Sequence, residues 1–229
     1  MESLGKAAVA EFVATFALVF IGAGAVITSS AGNLDLVGVA LAHGLVLAIM
    51  VSVTGHISGG LVNPAVTIAL WTSGKISTQR GAVLIVVQMI AAVVAALLVR
   101  YCFGAASFDA GGAGAPALGP GVSVGTGIVI EAILTFFLVF AVFGTAVDDQ
   151  GPWNKTAGFT IGLVIAFDIM AFGPLTGAAM NPARWFGPAA VGGLWENSVV
   201  WIVGPIAGAI IAGVLYTTVL LRGREPSTP

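Results

Sequence analysis

"SGGLVNPAV", residues 58–66, sets Asn63 and Pro64 in the middle of a chain that is otherwise almost wholly apolar. The tripeptide returns as Asn181-Pro182-Ala183 within "TGAAMNPAR" (176–184). Asn is a favoured helix N-cap, and Pro suits the first helical position, where its missing N–H costs nothing. Each "N-P-A" therefore reads as the start of a helix. A lone Asn-Pro marks an ordinary turn, but two copies at equivalent places in a repeat argue for a common device. The runs that follow, 63–71 and 181–190, each allow roughly 12 Å of helix. That is less than half of a ~30 Å hydrocarbon layer, so two such pieces entering from opposite faces would together cover about one span.

Composition settles the solvent. The 229 residues are 58% hydrophobic and 8% charged, with a mean hydropathy of +1.07. A soluble domain carries about 25% charged residues. Too few charges remain to cover a water-facing surface, and the chain reads as an integral membrane protein. Its net charge of −2 carries no nucleic-acid signal. The single Cys102 leaves no internal disulfide to expect. Glu11 interrupts the first apolar run, which is expected to be a retained span and not a cleaved signal.

Six stretches are long and apolar enough to cross: about 7–29, 36–54, 82–102, 124–147, 156–173 and 198–221. Residues 103–123 read as a long flexible loop and 148–155 as a short polar one. The halves repeat. "EFVATFALVF" (11–20) matches "EAILTFFLVF" (131–140) with Glu, Thr and Phe in register. Each half, about 7–102 and 124–221 of one channel domain spanning 1–229, holds three spans. An odd number inverts the second copy, and inverted repeats place broken helices and their site near the midplane. With the termini inside, Lys6, Lys75, Arg80, Lys155, Arg222 and Arg224 are cytoplasmic, while Arg100 and Arg184 are not. The positive-inside rule then favours both termini in the cytoplasm.

Non-helical backbone at membrane depth must line a water-filled path or be buried in protein. Two helix starts from opposite faces would aim two positive helix ends at one point. "SGGLVNPAVT", "GPLTGAAMNPARWFGP" and the two ExxxTF segments resemble the aquaporin and glycerol-facilitator family, over nearly the whole chain. The resemblance implies an all-α right-handed bundle of six transmembrane helices plus two re-entrant half-helices, assembled as a homotetramer in the lipid bilayer. It implies a passive channel for water and small neutral solutes that excludes protons and ions. In it Asn63 and Asn181 donate hydrogen bonds to the permeating molecule at the centre of the pore.

By the same resemblance, His43, Ile169, Ala178 and Arg184 form the narrowest constriction. Arg184 is also a functional candidate in its own right, because an intramembrane Arg is costly. Ile169 and Ala178 depart from the strict water filter and resemble that of the plant vacuolar-membrane branch, which implies a wider constriction with one apolar wall. Ammonia and hydrogen peroxide are then further candidate permeants. A glycerol facilitator is the alternative; against it, Trp185 replaces the Asp that such proteins carry, and "VVWIVGPIAG" (199–208) resembles water channels around Trp201. His56 fits the family's cytoplasmic vestibule, while Leu61 stands where the family has a second His.

Buried carboxylates need donors, and broken loops have spare N–H groups. Glu11 and Glu131 are therefore assigned to bracing the two loops. Asp168, beside Ile169, has no role in that scheme. The rival class is a proton-coupled transporter with Glu11, Glu131 and Asp168 as carriers, since inverted repeats fit that as well. No metal-ligand spacing or nucleophile-base pair points to an enzyme, and no cofactor or metal is expected. "GAGAV" (22–26) lacks a nucleotide-binding context. Ala91, Ala92, Ala95, Ala96, Gly204 and Gly208 read as helix-packing residues. The default location is the cell (plasma or inner) membrane.

Overall fold

The computed structural model describes residues 2–150 and 154–222. Arg224 and part of the 148–155 loop lie outside the described residues. Long spans form wherever apolar sequence runs uninterrupted between capping residues. They are α1 (Leu4–Ser30), α2 (Leu36–Ser58), α4 (Thr78–Phe103), α6 (Val124–Val142), α7 (Ala157–Thr176) and α9 (Val199–Leu215). π-Helical turns extend α6 through Val147 and α9 through Leu220. Side chains of Ser3, Asp35, Ser77 and Ser123 cap four of the starts. Gly59 (φ 105°) and Gly177 (φ 78°) stop α2 and α7 in the left-handed conformation that glycine adopts at little cost. All six helices are long and apolar enough to cross a membrane.

The half-helices are α3 (Pro64–Thr72) and α8 (Pro182–Gly192), capped by Asn63 and Asn181. Each half thus runs span, span, half-helix, span. Close approach rests on small residues. A Cβ on Gly44 would lie 2.6 Å from the Gly162 carbonyl, which locks α2 to α7. Gly204 and Gly208 press α9 onto α6 at Glu131 and Ala132. Ala91, Ala92, Ala95 and Ala96 are wholly buried along α4.

One expectation fails here. The 103–123 segment is not a featureless loop. It holds the short helix α5 (Ala105–Ala110) and a tight turn at Gly112–Gly114. The physical reason is Phe108, a large apolar side chain in that stretch, which is buried with Ala23, Ile27, Val99 and Ala113. Burying an aromatic ring offsets the cost of ordering its segment.

Candidate functional site

Two irregular loops, 59–62 and 177–180, precede the half-helices, and their backbone N–H groups need acceptors away from water. Glu11 supplies them in the first half. Its Oε1 accepts from Ser58 Oγ (2.6 Å) and Leu61 N (2.8 Å). Its Oε2 accepts from Val62 N (2.6 Å) and Gln88 Nε2 (2.8 Å). Glu131 repeats the arrangement with Thr176 Oγ1 (2.8 Å), Ala179 N (2.9 Å) and Met180 N (2.8 Å). Both carboxylates are fully buried. These bonds, with Ala178 N donating to Thr176 Oγ1, hold Val62, Ala178 and Met180 at φ 56°, 44° and 51°, a region costly for residues with a Cβ.

The two loops are stitched together by the Asn side chains. Asn63 Oδ1 caps Ala65 N (2.8 Å), and its Nδ2 donates across the interface to Met180 O (2.7 Å). Asn181 Oδ1 caps Ala183 N (3.0 Å) and Arg184 N (3.3 Å), and its Nδ2 donates to Val62 O (3.0 Å). Pro64 and Pro182 open their helices without leaving an orphan donor. An amide carries two N–H groups. One of each pair fixes the opposite loop, which leaves one of each for a molecule in the cavity that Asn63 and Asn181 line.

Above them lies the second cluster. Arg184 is 4% exposed and His43 5%, so Arg184 is not a snorkelling surface residue. Its Nε donates to His43 Nε2 (3.0 Å) and its Nη1 to Gly114 O (2.9 Å). His43 Nδ1 lies 2.8 Å from Val39 O. The pattern closes if Nδ1 carries the proton and Nε2 accepts, so both ring nitrogens are occupied. His43 then presents a ring edge to the cavity and orients Arg184. Three of the five guanidinium N–H groups remain for other acceptors. Ile169 and Ala178 complete the lining with apolar surface.

The central cavity is narrow. It leaves about 20 Å³ for the centres of water-sized molecules, against the roughly 10–15 Å³ that one water needs. It shares Ile169 and Arg184 with a wider cavity that Ser29, Ser30 and Pro116 also line. It shares Val51 with another at the opposite face, lined by His56, Asp148 and Lys155. The three lie in series across the molecule. Leu61 faces the central cavity.

Asp168 is brought near this site but does not line that cavity. It is 2% exposed, and its Oδ2 accepts no hydrogen bond among the described residues. Sequence reasoning passed over Ser58, Thr176 and Gln88, ordinary polar residues whose partners lie far along the chain. It also passed over Gly22, on which a Cβ would lie 2.7 Å from His43 Cδ2. The "GAGAV" run thus makes room for the His43 ring. A backbone acceptor such as Gly114 O leaves no side-chain signal.

Six spans, two half-helices meeting at their capped starts and a narrow cavity through the junction define a membrane channel. The chain belongs to the major intrinsic protein family, whose profile matches residues 1–216. It is 42% identical over 229 residues to aquaporin TIP1-2 of Zea mays, covering 96% of this chain and 88% of that protein. It is 40% identical over 230 residues to aquaporin TIP4-4 of Zea mays, covering 96% and 90%. The aquaglyceroporin of Plasmodium falciparum superposes with a TM-score of 0.85 at 25% identity, over 95% of this chain and 97% of the other. The family is one of channels and not of enzymes. These relatives correct one expectation. The cell-membrane default fails, because the TIP aquaporins are the vacuolar-membrane branch; a multi-pass membrane location is what stands.

Proposed function

We propose that the chain is a passive water channel in which Asn63 and Asn181 orient each permeating molecule and His43, Ile169, Ala178 and Arg184 select it. The observation that carries this reading is the series of three cavities narrowing at those residues. A water at the junction accepts the remaining N–H of each Asn through its oxygen. The two helix N-termini add positive potential there. A water held by its oxygen points both hydrogens at its neighbours in the file and has no lone pair free to take a proton from either, so a proton cannot be relayed, and a cation meets Arg184 and both helix ends. The relatives named aquaporin support the same reading.

The apolar surface of Ile169 and Ala178 favours ammonia and hydrogen peroxide as further permeants, with glycerol behind water. The proton-coupled alternative fares poorly on geometry. Glu11 and Glu131 are occupied by loop donors, and Asp168 lies off the central cavity lining. We assign both termini to the cytoplasm and the assembly to a homotetramer with one pore per subunit. Stopped-flow light scattering of proteoliposomes tests the proposal. Fast shrinkage under an impermeant osmolyte, with slow glycerol entry, is the expected result. Water permeability at the bare-lipid level would overturn it.

A further inference from the structure

The last carbonyl groups of a helix have no partner within it. In both halves the helix that leads into the irregular loop ends on a buried hydroxyl residue. Ser58 closes α2 and Thr176 closes α7. Each hydroxyl donates to its carboxylate, Glu11 or Glu131. Each carbonyl is taken up by the span that follows the half-helix. Arg80 Nη2 on α4 donates to Ser58 O at 2.9 Å, and Trp201 Nε1 on α9 donates to Thr176 O at 2.9 Å.

We propose that Arg80 and Trp201 are matched positioning residues of the pore, Arg80 for the loop that carries Asn63 and Trp201 for the loop that carries Ala178. The inference rests on the reading of Asn63 and Ala178 as pore residues. Without these bonds the last carbonyl before each loop has no partner, and the loop start is held by the hydroxyl and by the glycine N–H that closes the helix. Thr176 is two residues from Ala178, whose N–H also bonds Thr176 Oγ1 at 3.1 Å. Rotation of Thr176 therefore moves the filter wall directly. Arg80 is mostly buried, its Nε has no partner among the described residues and its Nη1 reaches Glu2 O only at 3.4 Å. The Ser58 carbonyl is its short contact. A cation there also suits the negative end of α2.

Three variants in proteoliposomes test this, with permeability expressed per folded channel. Trp201→Phe retains a ring to stack on Trp185, which Trp201 meets at 5.8 Å and 13°, and removes the N–H. It is expected to raise the glycerol-to-water permeability ratio by roughly two- to ten-fold, the range set by one net hydrogen bond. Arg80→Gln is expected to lower water permeability by a similar factor with the ratio unchanged, and Arg80→Lys, which keeps a cationic donor, to restore at least half of it. Folded variants with wild-type permeability and ratio would overturn the inference, as would Arg80→Lys behaving no better than Arg80→Gln. If Arg80→Gln does not fold, Trp201→Phe decides alone. Wild-type protein in the same vesicles separates the two levels. Its failure to conduct water defeats the channel reading, whereas conduction with indifferent variants defeats only this inference.

Discussion

The two halves hold their loops by different means. In the first, long polar side chains reach inward: Gln88 from α4 gives Glu11 a fourth donor and also bonds Thr67. In the second, α9 lies directly on α6 through Gly204 and Gly208, and Glu131 has three donors. A polar side chain from the last span of the first copy braces its loop, while in the second copy the last span meets its neighbour through a close backbone contact. The second half also carries Ala178, Ile169 and Arg184, together with two left-handed non-glycine residues in its loop, Ala178 and Met180, against Val62 in the first. The copies share a scaffold, and the second supplies three of the four residues of the proposed filter.

That difference makes the carboxylates unequal under the same substitution. In Glu11→Gln the new N–H₂ meets a backbone N–H, Leu61 or Val62, on either side, but on the Oε2 side the amide of Gln88 can turn to offer it an oxygen, so part of the cost is recovered. Glu131→Gln has no such amide beside it and also leaves a buried N–H facing an N–H, at a cost of about 1–3 kcal/mol. Glu131→Gln is therefore expected to lose most water flux and to melt at lower temperature, while Glu11→Gln keeps more of both. Thermal melts and stopped-flow traces of the pair check this; equal losses would break the contrast.

The filter comes next. Arg184→Ala removes the donors to His43 and Gly114 and opens the wall beside Ile169. Glycerol entry relative to water should rise by on the order of tenfold, the equivalent of about 1.4 kcal/mol, as read from shrinkage and re-swelling in glycerol gradients. Gly22→Ala sharpens the same point from behind. Its Cβ would push the His43 ring toward the cavity; water permeability should fall by a few-fold, and thermal melts should show a loss of stability of roughly 1–3 kcal/mol from overpacking. The smallest effect belongs to Asp168→Asn. Because Asp168 does not line the central cavity, water permeability should stay within measurement error, whereas a coupled transporter would lose proton-dependent uptake.

Much of this was legible in the sequence, and the reasons are physical. The paired Asn-Pro-Ala starts, the two ExxxTF spans and the near absence of charge each have a sequence signature with few alternatives. The six spans and both half-helices follow from them, to within a few residues at the ends. Helix α5 was missed because its order comes from one buried ring, Phe108, and not from periodicity. The acceptor role of Gly114 and the space-making role of Gly22 were missed because neither a backbone carbonyl nor an absent side chain announces its partner. The structure brings His43 against Arg184, but the occupation of both its nitrogens depends on Val39 O, one helical turn back. The plant vacuolar-membrane likeness of the filter was also in view, and the cell-membrane default was set against it and fell to the TIP relatives.

The central claim is that opposed half-helices and two Asn donors pass water while interrupting the proton wire. The most direct test is simultaneous measurement of osmotic shrinkage and internal pH in wild-type proteoliposomes under combined osmotic and proton gradients. Water flux far above bare lipid, with an activation energy well below that of the lipid and no added proton leak, is the expected result. Proton entry that rises in step with water flux, or shrinkage no faster than bare lipid, would contradict it.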